Sequence, residues 1–287
     1  MKGEGMRAKG LLKALAALMI GAGSGGAQAD LRYNMPVGVT EVSRGVHDLH
    51  MTMFWICVGI GLLVFSAIIY SMVRFRKSAG AQAANFHENT TIELVWTIIP
   101  FAILVIMTVP AAGLLIKMDD TSQSDLTIKI TGYQWKWHYD YLDENVSFYS
   151  VLAQDSNAAR QLGAQIDLKS VDHYLLNVDR PVVVPIGQKI RFLITSNDVI
   201  HAWWVPDLAV KKDAVPGFIN EFWTRIDVPG VYRGQCAELC GRDHGFMPVV
   251  VEAKTPEDYA AWLEAQREPK IESAAAVSAG STLVAAR

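Results

Sequence analysis

Apolar residues are concentrated before position 118, where two long stretches contain no charged side chain. Residues 51–73 and 94–116 are each long enough, as helices, to cross a hydrocarbon core of about 30 Å. Pro100 and Pro110 fall inside the second stretch, where a membrane bundle tolerates them because neighbouring helices satisfy the freed backbone groups. The pattern predicts a transmembrane hairpin of two helices.

After residue 119 the apolar positions alternate with polar ones, which is typical of strands. Several short strands separated by turns such as Pro229-Gly230 predict a small all-β sandwich or barrel. Residues 256–267 predict one amphipathic helix, with Thr255 as its N-cap. The β-rich runs are 125–131, 182–184, 189–195, 221–227 and 248–252.

The N-terminus is typical of a cleavable secretory signal. Four basic residues among the first 13 positions overlap an apolar run at 11–20, and small residues lead to Ala29. Because the apolar run is too short to span a membrane, we expect residues 1–29 to be removed.

The basic residues that follow the first span predict the orientation. Arg74, Arg76 and Lys77 place the loop between the spans in the cytoplasm. We therefore expect a multi-pass protein of the bacterial plasma membrane, with its N-terminus and C-terminal domain on the periplasmic side. The predicted parts are the signal (1–29), an N-terminal segment with both spans (30–118), an exported β domain (119–270) and a flexible tail (271–287).

Composition and charge exclude several classes of protein and of binding partner. A chain of 287 residues with 51% hydrophobic residues and three cysteines is neither a disordered protein nor a disulfide scaffold. Residues 119–287 contain 16 Lys and Arg against 23 Asp and Glu, a net charge of −7. Such a domain is a poor candidate for binding nucleic acid and a reasonable target for a basic protein.

One loop carries Cys236, Cys240, His244 and Met247, and His201 lies 35 positions before the first of them. Thiolates, imidazoles and thioethers are soft or borderline metal ligands. Zinc would accept two Cys and two His but leave Met247 without a role. A mononuclear blue copper site would use one Cys, two His and Met, leaving a thiolate open to oxidation.

Two copper ions bridged by both sulfurs would use the complete set. Met247 would be a weak ligand to one ion, and a backbone carbonyl, that of Glu238, is within reach of the other. Sharing one electron between two metals reduces the change in bond length, which suits electron transfer. A Cys236–Cys240 disulfide is the remaining alternative for an exported protein, although it would close a very short loop.

Five segments together resemble subunit II of haem-copper cytochrome c oxidases. They are 93–100, 132–137, 198–203, 211–217 and the metal loop 236–247. The resemblance runs from about residue 40 to 255 and leaves out the segment 144–170. It implies a two-helix transmembrane hairpin followed by a Greek-key, cupredoxin-like β domain.

The resemblance also implies roles for individual residues. The dinuclear copper centre, CuA, would be bound by His201, Cys236, the Glu238 carbonyl, Cys240, His244 and Met247. The Glu238 side chain would bind magnesium at the boundary with subunit I, whereas on its sequence alone it could be a solvated loop acid.

Two further positions match functional residues of the family. Trp135 would receive electrons from cytochrome c, although its neighbours Trp137 and Tyr139 also allow a buried core tryptophan. Glu93 would lie at the entrance of a proton-uptake pathway, with an acid that favours the start of the helix as the alternative. Lys136 departs from the family, since many members have tyrosine there, and it adds a positive charge beside Trp135.

The implied function is electron entry into cytochrome c oxidase: electrons pass from cytochrome c to haem in subunit I, where O2 is reduced with proton translocation. The implied partners are subunits I and III, cytochrome c and membrane lipid. Candidates for an acidic docking patch are Asp140, Asp155, Asp172 and Asp207. The alternatives are a quinol-oxidase subunit II, which lacks the copper ligands present here, and a membrane-anchored copper or zinc protein outside a respiratory complex.

Overall fold

The computed structural model describes residues 33–85 and 87–267. The predicted signal peptide and C-terminal tail lie outside the described residues. The helices are α1 (Glu41–Arg74), α2 (Thr90–Asp119), α3 (Gln154–Ala159) and α4 (Pro256–Arg267). The strands are β1 (Leu126–Tyr133), β2 (Lys136–Tyr141), β3 (Val146–Ser150), β4 (Val182–Pro185), β5 (Ile190–Ser196), β6 (His201–Val205), β7 (Val210–Ala214), β8 (Asn220–Thr224), β9 (Gly230–Cys236) and β10 (Pro248–Lys254).

Helices α1 and α2 form a hairpin, and within the described residues these two are long and apolar enough to cross a membrane. A capping box between Thr40 and Ser43 starts α1. Asn89 caps α2 by accepting the backbone N–H of Ile92 at 3.2 Å. Most of the apolar side chains along both helices are exposed, as expected for surfaces that face lipid.

The strands form two five-stranded sheets within the described residues, in the orders β3-β2-β1-β5-β8 and β4-β10-β9-β6-β7. Strand β5 shows the regular alternation of buried and partly exposed residues that a two-layer fold requires. Large aromatic side chains, among them Trp137, Phe192 and Trp203, fill the core between the sheets. The prediction of a helical hairpin followed by a cupredoxin-like β domain is confirmed.

The chain that precedes α1 is hydrogen-bonded to the β domain. Thr40 forms a β-bridge with Ile226. Val39 donates its N–H to the Asp207 carbonyl at 3.1 Å and accepts the N–H of Asp227 at 3.2 Å. These contacts explain why α1 begins ten residues before the predicted span, since its first turns pack on the β domain.

The C-terminal end of α2 is attached to the same domain. The indole Nε1 of Trp223 donates to the carbonyl of Lys117 at 2.9 Å. Lys189 is buried, donates to the Ser122 carbonyl at 2.7 Å and lies 4.7 Å from the centre of the Trp223 ring. Side chains of the β domain therefore contact the chain on both sides of the end of the helix.

The segment 144–170, which the sequence patterns left without an assignment, contains β3 and the short helix α3. Ser156 on α3 is fully buried, and its hydroxyl accepts the N–H of Leu175 at 3.2 Å. Ala153, which precedes the helix, donates to the Asn177 carbonyl at 3.0 Å. The following chain thus holds α3 in place at one end of the β domain.

Candidate metal centre

Strand pairing brings the predicted ligands together at one end of the sandwich. His201 is the first residue of β6 and Cys236 is the last residue of β9. The two strands are antiparallel neighbours, with Trp203 opposite Cys236, so the ends that carry these side chains meet. The loop from β9 to β10 then turns back over the same end and carries Cys240, His244 and Met247.

Two free cysteines, Cys236 and Cys240, lie in the middle of the cluster, buried and with their Sγ atoms 3.8 Å apart. Cys236 Sγ is 3.9 Å from His201 Nδ1 and 3.4 Å from the Glu238 carbonyl oxygen. Cys240 Sγ is 3.5 Å from His244 Nδ1 and 3.6 Å from Met247 Sδ. Each sulfur thus has one imidazole and one weaker donor beside it.

The donor set fits a copper site by its chemistry and its burial. Among the described residues, the ligand atoms of His201, Cys236 and Cys240 all lie within 4.8 Å of one another, which is close enough to hold a metal ion. His201 is fully buried and Met247 is 1% exposed, so water has little access to these donors. Two thiolates, two imidazoles and a thioether are ligands that copper prefers.

The orientation of His201 is set by Asp198, which opens the segment 198–203 but was not predicted as a site residue. Asp198 Oδ1 lies 2.9 Å from His201 Nε2, so the Nδ1 atom is the one that faces Cys236. The backbone N–H groups of Gln134 and Val199 bind the same carboxylate. A carboxylate on the second nitrogen is typical of histidines that bind metals, and its signal in the sequence is an acid three positions before the histidine.

The two thiols have different pKa values because their surroundings differ. Burial, together with the neighbouring Cys236 sulfur, raises the pKa of the Cys240 thiol to about 12. Burial also opposes ionisation of Cys236, but hydrogen bonds from His201 and from the backbone outweigh it, and its pKa is lowered. For His201, burial lowers the pKa, while Cys236 and Asp198 raise it to a larger extent. Of the two thiols, Cys236 therefore loses its proton at the lower pH.

Trp135 lies in the turn before β2 and contacts the metal loop. Its Nε1 donates to the Cys240 carbonyl at 3.2 Å, and Gln134 Nε2 donates to the same oxygen at 2.8 Å. Trp137 and Tyr139 are fully buried, whereas Trp135 is partly exposed. The ring of Trp135 thus extends from solvent to a hydrogen bond with the loop.

Family models match nearly all of this architecture. Residues 126–254 match the model described as cytochrome c oxidase subunit II, periplasmic domain, and residues 28–114 match the transmembrane domain of the same subunit. The probable cytochrome c oxidase subunit 2 of Rickettsia bellii is 42% identical over 230 residues, which cover 80% of this chain and 82% of that protein. The chain belongs to the cytochrome c oxidase subunit II family.

Other members of the family come from plant mitochondria and bacteria. The mitochondrial cytochrome c oxidase subunit 2 of Glycine max is 41% identical over 79% of this chain and 57% of that protein. The chain also matches a crystal structure of the periplasmic domain of subunit II of cytochrome oxidase from Bradyrhizobium japonicum, with 40% sequence identity. The match covers 51% of this chain and 96% of that chain, with a TM-score of 0.45. With two apolar helices and a matching transmembrane domain, this subunit II is membrane-anchored.

Of the other candidate residues of this subunit II, Glu93 lies apart from the sulfur cluster, whereas Glu238 lies in the metal loop. Glu93 lies in the first turn of α2, where its carboxylate accepts the N–H of Asn89 at 3.2 Å. This contact gives Glu93 a local role in starting the helix. The Glu238 side chain is exposed, while its carbonyl faces Cys236.

The four acids considered for docking lie on different elements. Asp140 is on β2, Asp155 is in the first turn of α3 and Asp172 is exposed in the following loop. Asp207 belongs to the short 3-10 helix after β6, and its carbonyl binds Val39 ahead of α1. Asp207 is thus part of the joint with the membrane segment.

Proposed function

We propose that this chain is the electron-entry subunit of a cytochrome c oxidase and holds a dinuclear copper centre of the CuA type. The observation that carries the proposal is the pair of buried sulfurs, each with an imidazole and a weaker donor 3.4 to 3.9 Å away. The bound copper pair would supply one-electron transfer between cytochrome c and haem in subunit I. Its ligands would be His201, Cys236, the Glu238 carbonyl, Cys240, His244 and Met247.

The residues around the cluster would hold these ligands and exclude water. Asp198 orients the His201 ring, and burial of the sulfurs protects them from oxidation. Trp135 would be the entry point for electrons, because its partly exposed ring is hydrogen-bonded to the Cys240 carbonyl. The reduction of O2 to water would take place in another subunit.

The same proposal covers the membrane arrangement. The basic loop after α1 would lie in the cytoplasm of a bacterium, and the N-terminus and β domain on the periplasmic side of the plasma membrane. Glu93 would then lie at the entrance of a proton-uptake pathway into subunit I. The exposed Glu238 carboxylate would bind magnesium at the boundary with subunit I, and subunit III would complete the complex.

Electron paramagnetic resonance of the full-length, copper-loaded chain in detergent tests the proposal. We expect two copper ions per chain and a hyperfine pattern from one electron shared by both nuclei. The Cys240→Ser variant should lose this pattern, whereas Cys57→Ser, which changes a cysteine on α1, should keep it. A single copper ion with a mononuclear spectrum, or a bound zinc ion, would refute the CuA assignment.

A further inference from the structure

Side chains from outside the metal loop, residues 236–247, contact its beginning, middle and end. Gln134 and Trp135 bind the Cys240 carbonyl near the beginning, and Trp137 donates its Nε1 to the Met247 carbonyl at 3.3 Å near the end. The middle of the loop contains His244. Its neighbours Asp243 and Phe246 are contacted by Arg160, which directly follows α3.

The guanidinium of Arg160 makes three contacts. Its NH1 lies 3.5 Å from Asp243 Oδ1, its Cζ lies 4.2 Å from the centre of the Phe246 ring, and its Nε donates to Asn157 Oδ1 at 2.8 Å. The side chains of Arg160 and Asp243 are only 23% and 16% exposed. Partial burial strengthens the ion pair and the cation–π contact relative to exposed ones, so this guanidinium connects α3 firmly to the loop.

The backbone of Arg160, at the end of α3, is also held in place. Its backbone N–H donates to the Ser156 carbonyl at 3.0 Å, and Ser156 is fully buried. Ala159 is also buried against the domain. Arg160 therefore projects from a fixed element, and its contacts transmit that position to the loop.

A cavity of about 160 Å³ lies beside these contacts, lined by side chains that include Trp135, Asn157, Arg160, Asp243 and Phe246. If the guanidinium were removed, this cavity would grow. Asp243 would lose one of its two arginine partners, since Arg242 is also 3.5 Å away. The middle of the loop would then have more freedom to move.

We propose that Arg160 is a positioning residue for the copper ligand His244. By holding Asp243 and Phe246, which lie on either side of His244, it keeps the imidazole Nδ1 at 3.5 Å from Cys240 Sγ. This inference rests on the proposed copper function and assigns a role to the segment 144–170: it supplies an external support for the metal loop. Arg160 itself would not touch the metal.

The test uses the full-length chain and measures how fast a chelator removes copper, together with the reduction potential of the centre. We expect Arg160→Ala to release copper about tenfold faster than the wild type, the lower end of the effect of losing a residue that orients a metal ligand, and to shift the potential. Arg160→Lys should lie between the two, because lysine keeps the charge facing Asp243 but loses the planar stack on Phe246.

Arg180→Ala is the matched control. Arg180 stacks on Phe148 with its Cζ 4.3 Å from the ring centre and binds Gln266, at a place formed by other elements than the metal loop. We expect this variant to release copper at the wild-type rate. Equal acceleration in both arginine variants would mean general destabilisation and would overturn the positioning role.

Asp243→Asn removes the charge of the loop residue that faces Arg160. This variant tests the proposal even if Arg160→Ala fails to fold. It should also accelerate copper release, and the effects of the two changes should be less than additive in the double variant, because both remove the Arg160–Asp243 contact. Wild-type release rates and potentials in Arg160→Ala would overturn the inference. A wild-type chain that binds no copper pair would instead refute the proposed function.

Discussion

At the scale of single residues, the His201 imidazole is confined on several sides. Asp198 binds Nε2, and the Trp137 ring lies edge-on with its centre 5.8 Å from that of the imidazole. Gly132 on β1 faces the ring, and a Cβ atom there would lie 2.8 Å from His201 Cδ2. The absence of a side chain at position 132 therefore leaves room for the imidazole, and small changes around it should affect metal binding.

We predict that Gly132→Ala lowers copper affinity about tenfold or more, because the added methyl forces the His201 ring to move. Competition with a chelator of known affinity measures the change. Gly245→Ala is the matched control: it lies in the metal loop, but a Cβ atom there would have no described heavy atom within 4 Å. If both variants bind copper like the wild type, Gly132 has no such role.

We predict that Met247→Leu retains copper and shifts the reduction potential of the centre. Leucine has a similar volume and fills the buried space of Met247, while the loss of a weak thioether ligand changes the electronic environment of the metal. Metal analysis and redox titration measure the two quantities. Complete loss of copper would contradict the weak role assigned to this ligand.

At the scale of elements, the joint between α2 and the β domain uses a property of all helices. The last carbonyls of a helix have no partner inside it, and Trp223 on β8 donates to one of them, the carbonyl of Lys117. Lys189 lies over the same indole ring and binds the Ser122 carbonyl in the connection to β1. The joint thus positions the metal domain relative to the membrane helix.

We predict that Trp223→Phe destabilises the domain by about 1 kcal/mol, because it keeps an aromatic ring beside Lys189 but removes the hydrogen bond to α2. Thermal unfolding followed by near-ultraviolet circular dichroism measures the change. Trp204→Phe on β6, where the side chain is 38% exposed, is the control and should have a smaller effect. An equal loss in both variants would mean that the joint contributes nothing specific.

At the scale of the whole molecule, charge would determine how the proposed soluble electron donor approaches. The net charge of −7 over residues 119–287 attracts a basic protein, although the acids are spread over several elements. Beside Trp135 the local charge has the opposite sign: Arg242 lies 5.7 Å from its ring, and Lys136 stacks on Tyr149 at 4.2 Å. Overall attraction and local repulsion of a basic donor therefore oppose each other.

We predict that oxidation of a basic cytochrome c by the complex slows as salt rises from about 10 mM to about 200 mM, because screening weakens the attraction. Lys136→Glu should speed the reaction at low salt, and Lys211→Glu, the same change at an exposed position on β7, should speed it less. Stopped-flow measurements give these rates. A rate that salt does not change would argue against electrostatic steering of the donor.

Local patterns were sufficient to predict several parts of the fold. The uncharged runs predicted α1 and α2, and the alternation of apolar and polar residues predicted β1, β5 and β10. Thr255 and Pro256 predicted the start of α4. Strands β6, β7 and β9 were not predicted from periodicity. Four of the five residues of β6 are buried, so this strand does not alternate, and β7 has three charged residues in a row. In β9 the burial alternates, but two of the buried positions are a glycine and the ligand Cys236, which are not typical strand residues. Helix α3 has six residues, too short for a periodic signal.

By itself the sequence determined what lies close together in the chain: the length of the two apolar spans, and the donor types and spacing of Cys236, Cys240, His244 and Met247. Only the tertiary structure decided which distant groups meet there. The pairing of β6 with β9 brings His201 to Cys236, and the packing of α3 brings Arg160 to Asp243. The physical reason is that contacts across tens of residues depend on how the sheets and the helix pack, which a local pattern of residue types does not specify.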